Sequence, residues 1–147
     1  MHCAFPRTVA VYAIAAGAGL TVGIAPARAQ PITEYAIPTA SSAPLDITVG
    51  PDGNLWFTEF GANKIGKVTT TGTFTEYSVP TARSDPYGIT AGPDGNLWFT
   101  ERFANKIGKV TTTGTFTEYA IPTASSDPEG ITAGPDGNLW FAETNTN

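Results

Sequence analysis

No histidine, cysteine or methionine occurs beyond residue 3, because His2, Cys3 and Met1 are the only residues of their kinds. Residues 1–29 read as a segment removed on export, so the mature chain is expected to lack all three. Without cysteine it has neither a disulfide framework nor a thiolate nucleophile. Without histidine it lacks the side chain best suited to proton transfer near neutral pH, and no Ser-His-Asp or Cys-His set is available. Zinc sites built on His or Cys are excluded on the same ground. Basic residues are also few. The whole chain has eight Lys and Arg against thirteen Asp and Glu, and loss of Arg7 and Arg28 leaves a mature net charge of -7. With no basic cluster, nucleic acid and anionic lipid are not expected partners. Helical periodicity of useful length is absent too.

The export reading rests on order. Arg7 precedes an uncharged run, Thr8–Ala25, closed by Pro26 and then Ala27-Arg28-Ala29, small residues at the two positions that a signal peptidase reads. At ~1.5 Å per residue the run reaches only ~27 Å, short of a bilayer core, which weighs against a membrane anchor. Cleavage is expected before Gln30, giving an exported (periplasmic or extracellular) protein with no membrane association afterwards.

What is present is a repeat. Trp56, Trp98 and Trp140 are spaced 42 apart, and 32 of 42 positions are identical between units 32–73 and 74–115. The third unit, 116–147, matches the second at 24 of its 32 positions and reaches Asn147, level with Asn63 and Asn105. About two and three quarter copies are therefore expected after residue 30. Each unit holds four β-like segments, in the second copy Gly88–Ala91, Asn96–Glu101, Lys106–Thr112 and, opening the next unit, Phe116–Ile121. They are rich in Val, Ile, Thr and aromatics. Gly92-Pro93-Asp94-Gly95 between the first two suits a hairpin, with Gly95 left-handed. Four strands per 42 residues in tandem predict an all-β fold, a β-propeller of four-stranded blades, over a β-solenoid. The tryptophans are expected to pack between blades rather than cage a ligand. Too few blades are present to close a ring, so faces bearing Trp56 and Trp140 are expected to meet water. A longer reading frame or self-assembly of several copies would cover them.

Several acidic positions recur. Asp52, Asp94 and Asp136 sit in the hairpin turns and read as structural. Glu59, Glu101 and Glu143 end the Leu-Trp-Phe strand, where a solvated strand end facing Lys64 or Lys106 is the simplest expectation. Asp85 and Asp127 precede the proline that opens the innermost strand, where the first unit has Ala43, and turn hydrogen bonding is the default there. The residue after that proline varies as Leu45, Tyr87 and Glu129. It lies where a propeller faces its central opening.

The unit Pro-x-Gly-Ile-Thr-x-Gly-Pro-Asp-Gly-Asn-Leu-Trp-Phe-Thr-Glu, followed by Asn-Lys-Ile-Gly-Lys-Val and Thr-Glu-Tyr-x-Ile-Pro-Thr, resembles a blade of the virginiamycin B (streptogramin B) lyases. The resemblance covers Ile32–Asn147. It implies a seven-bladed propeller that linearises a cyclic depsipeptide antibiotic by C–O elimination, with a magnesium ion held by carboxylates. The family's histidines follow the innermost-strand proline, at the level of Leu45, Tyr87 and Glu129, and none of these is histidine. Glu129 is thus the catalytic candidate by position. Asp127 and Glu143, then Asp85 and Glu101, are the metal candidates. The alternative that the resemblance leaves open is a non-catalytic exported propeller, like those of NHL repeats, that binds a small ligand or serves as a scaffold.

Overall fold

The computed structural model describes residues 10–14 and 32–145. Two four-stranded antiparallel sheets form its centre. The first runs in order β3 (Pro44–Val49), β4 (Leu55–Glu59), β5 (Lys64–Val68) and β6 (Phe74–Ser78). The second repeats it as β7 (Pro86–Ala91), β8 (Leu97–Glu101), β9 (Lys106–Val110) and β10 (Phe116–Ala120). A third begins with β11 (Pro128–Ala133) and β12 (Leu139–Glu143). The only helix among the described residues is a short 3-10 turn, Phe60–Ala62. The all-β blades expected from the 42-residue period are present, and each complete sheet takes its fourth strand from the opening of the next unit.

Local sequence explains this layout. In the hairpin that joins β7 to β8, Gly95 is left-handed at φ 73°, as the Pro-Asp-Gly turn requires. Asp94 Oδ1 accepts from the Asn96 amide at 3.2 Å and from the Trp98 indole at 3.0 Å, so one carboxylate ties the turn to the strand. Asp52 and Asp136 do the same for Trp56 and Trp140. Their structural reading holds. Gly66 and Gly108 sit opposite Phe57 and Phe99 across the ladder, and a Cβ at either would fall inside the facing ring.

Packing between sheets is chemically regular. The Trp56 face of the first blade meets Ile89, Leu97 and Phe99 of the second in one buried cluster. Trp56 stacks on Tyr77 at 5.7 Å, and Trp98 on Tyr119 at 5.5 Å. Here one expectation is overturned: the Trp56 face does not meet water. Trp56 is fully buried, because successive side chains alternate and its side of β4 points at the second blade, not away from it. The bare surface of the first blade lies instead along β3, while Trp140 is exposed as anticipated. The tryptophans that have a neighbouring blade behave as packing residues.

Polar staples repeat with the blades. Asn63 adopts a left-handed conformation at φ 56°, and its amide donates to the Val79 and Thr81 carbonyls while its Oδ1 accepts from Ser84. Asn105 does likewise one unit on. Thr58 Oγ1 donates to the Tyr87 carbonyl and Thr100 Oγ1 to that of Glu129, at 2.8 and 2.7 Å, joining successive innermost strands.

The supposed leader also contributes a strand. β1 (Ala10–Ile14) pairs antiparallel with β2 (Ile32–Ala36), in the place that β9 holds beside β10. Cleavage before Gln30 would remove β1. The Ala27-Arg28-Ala29 site lies outside the described residues.

Candidate functional site

The innermost strands β3, β7 and β11 start at a proline, and the residue before each proline is left-handed: φ 45° at Ala43, 54° at Asp85 and 47° at Asp127. Asp tolerates that conformation better than most residues, whereas Ala43 is strained there. The turn bonds expected of Asp85 and Asp127 are made by their carbonyls rather than their carboxylates. Asp85 O accepts from the Arg102 amide and Asp127 O from Thr144. Their side chains are left free to face the rim.

At that rim the structure assembles a cluster centred on Arg102. Its guanidinium lies 3.5 Å from Glu129 Oε1 and 3.7 Å from Asp127 Oδ2. It also stands 5.6 Å from the centre of the Tyr87 ring, whose other neighbour is Phe60, edge to face at 6.4 Å. Burial raises the Asp85 carboxyl above its usual range, against the pull of Arg102. Two of the three variable residues, Tyr87 and Glu129, thus converge on one cation, and Leu45 stands exposed on the first blade. Arg102 was not foreseen. It occupies the position of Phe60 and Thr144, so it is not part of the periodic pattern; the only sequence signal was the variability of that position next to an invariant Glu.

Of the metal candidates, Asp127 is brought beside Glu129, but with Arg102 between them. Glu143 ends β12 opposite Pro128. Glu101 points elsewhere, into the seam between blades, where it approaches Glu118 and Lys106. Among the described residues no group of three or more His, Asp, Glu or Cys is close enough to hold a metal ion. Where carboxylates do converge, a guanidinium already balances them, so this donor set does not fit magnesium.

The seam glutamates contradict a second expectation. Glu59 and Glu101 are not solvated strand ends. Both are fully buried, and none of their four carboxylate oxygens has a hydrogen-bond partner. Ser84 lies near Glu101, but its hydroxyl proton is committed to Asn63 Oδ1 at 3.0 Å. Nor does either facing lysine pair with them: Lys64 binds Glu76 at 3.2 Å and Thr39 at 2.7 Å, and Lys106 binds Glu118 and Thr81 likewise. Desolvation first, and the neighbouring Glu76 or Glu118 second, push Glu59 and Glu101 up to about 7, outweighing the lysines. They are neutral acids over much of the pH range, held in the seam rather than displayed at the rim.

The sequence profile of the virginiamycin B lyase family matches residues 9–147. The chain belongs to this family. A solved streptogramin B lyase is 50% identical, with a TM-score of 0.75 over 78% of this chain and 38% of its own. A virginiamycin B lyase from Staphylococcus aureus, solved as a catalytically inactive histidine-to-alanine variant with quinupristin, is 46% identical at the same TM-score and is covered over 39%. The curated virginiamycin B lyase of Bacillus licheniformis is 54% identical over 41 residues, which are 28% of this chain and 14% of that protein. This virginiamycin B lyase family chain therefore spans well under half the length of these relatives.

Proposed function

We propose that these blades supply a binding rim for a cyclic depsipeptide of the streptogramin B type and do not themselves open it. The observation that carries this reading is the Arg102 cluster. The one titratable group at a family histidine position, Glu129, is engaged by a guanidinium at 3.5 Å, which favours its ionised form and makes it a weak base. Tyr87 and Phe60 beside it offer ring faces to an apolar macrocycle, and Arg102 offers donors to its carbonyls. A relative solved with quinupristin supports a ligand of this class. Magnesium enters only through the family resemblance, and no step here is routed through it. Export before Gln30 belongs to the same reading and is supported by the order of residues 7–29; N-terminal sequencing of secreted protein that starts at Met1 would refute it.

The test is chemical. Quinupristin incubated with this chain and magnesium is expected to remain cyclic by mass spectrometry. A linear product carrying a new double bond, lost in Glu129→Gln, would replace the binding reading with catalysis by Glu129.

A further inference from the structure

The seam between the first and second blades shows what a blade face of this protein accepts. On one side Trp56 is fully buried; on the other stand Ile89 and Leu97. Both halves of that seam are repeated, unpaired, at the two ends of the described structure. At one end Trp140 is 59% exposed, and a Cβ on Gly130 beside it would meet nothing within 4 Å. The same atom on Gly88, one unit earlier, would strike the Glu129 backbone of the next blade. At the other end Ile47 and Val49, which stand one repeat before Ile89 and Ala91, are 47% and 63% exposed. β2 and Ile37 cover the outer part of that face through Phe57 and Val68, leaving β3 bare.

We propose that the occupant of the Trp140 face is a second copy of this chain, which presents its Ile47–Val49 face end to end and continues the blade stack. The contact is heterologous, since the two faces differ and one copy leaves one of each free. It reuses the apolar chemistry of the internal seam. It lacks one internal staple: where Thr58 and Thr100 donate to the next innermost strand, the third blade has Ala142. Association is therefore reversible and driven by apolar burial.

Sedimentation velocity of the full chain tests this. The weight-average mass is expected to rise with concentration above the monomer value. Trp140→Asp or Val49→Asp alone should hold the chain monomeric, with circular dichroism unchanged because both sites are exposed. An equimolar mixture of the two variants should form a dimer and nothing larger, because one intact face of each kind remains. Ala142→Thr should tighten association roughly two- to tenfold by restoring the hydroxyl. A wild-type chain that stays monomeric at every concentration, or variants that fail to complement in the mixture, would overturn the proposal.

Discussion

Trp56 and Trp140 are the same residue at the same place in the repeat, each donating its indole N–H to the aspartate of its own turn, at 2.9 and 3.2 Å. One is completely enclosed and the other is largely exposed. The hairpin is therefore a local product of Gly-Pro-Asp-Gly and the strand after it, whereas burial is supplied by the neighbouring blade. The widest consequence of this comparison lies in core energetics. Trp56→Ala is expected to destabilise the chain by ~3–5 kcal/mol, since it empties a packed seam. Trp140→Ala should cost under ~1 kcal/mol. Urea melts of the two variants would break the comparison if the costs were alike.

The seam also differs from the open face in its protons. Glu59, held at about 7 against an ordinary 4.5, is protonated in the folded chain under mildly acidic conditions. A raised carboxyl contributes stability that is fully present below its unfolded value and is lost as pH rises through its folded value. Stability should thus fall between about pH 4.5 and 7, by roughly 2–3 kcal/mol for each buried glutamate. Glu76 has the opposite sign. Burial alone would raise it, but hydrogen bonds from Thr39 and Lys64 hold it below its usual range, so its contribution is lost as pH falls. A maximum near pH 5 follows. Glu59→Gln, which cannot ionise, should flatten the neutral limb and leave the acid limb intact; a limb of unchanged slope would rule out Glu59 as its source.

Much of this was readable before any coordinates. Tryptophan spacing revealed the period, and the turn residues located the hairpins, because both are local and repeat without change. Arg102 was not readable, since its meaning depends on Tyr87, Asp127 and Glu129 arriving from two other strands. The burial of Glu59 and Glu101 was equally hidden. A glutamate that ends a strand looks solvated until the next blade closes over it. The Trp56 face was misjudged for a related reason: alternation says that two sides differ, not which side looks toward the next blade.

Smaller effects sharpen the comparison at the innermost strands. Thr100 Oγ1 accepts from the Gly88 amide at 2.9 Å and donates to the Glu129 carbonyl, whereas its counterpart Ala142 can do neither. Thr100→Val should cost ~1–3 kcal/mol by leaving both groups unsatisfied. In thermal melts of dilute chain, Ala142→Thr should be neutral. Smallest is the relief of strain at Ala43. Ala43→Gly should stabilise by roughly 0.5–1 kcal/mol, the left-handed penalty less the added freedom of the unfolded chain, whereas Asp127→Gly, at the residue that faces Arg102, should give no such gain.

The binding rim itself is tested most directly by titrating quinupristin into the chain and following its intrinsic fluorescence, wild type against Arg102→Ala. Saturable binding that weakens on the order of tenfold in the variant is the expected result, because loss of the guanidinium removes a donor and uncouples Tyr87 from the two carboxylates. Absence of binding to the wild type, or equal affinity in the two proteins, would contradict a rim organised by Arg102.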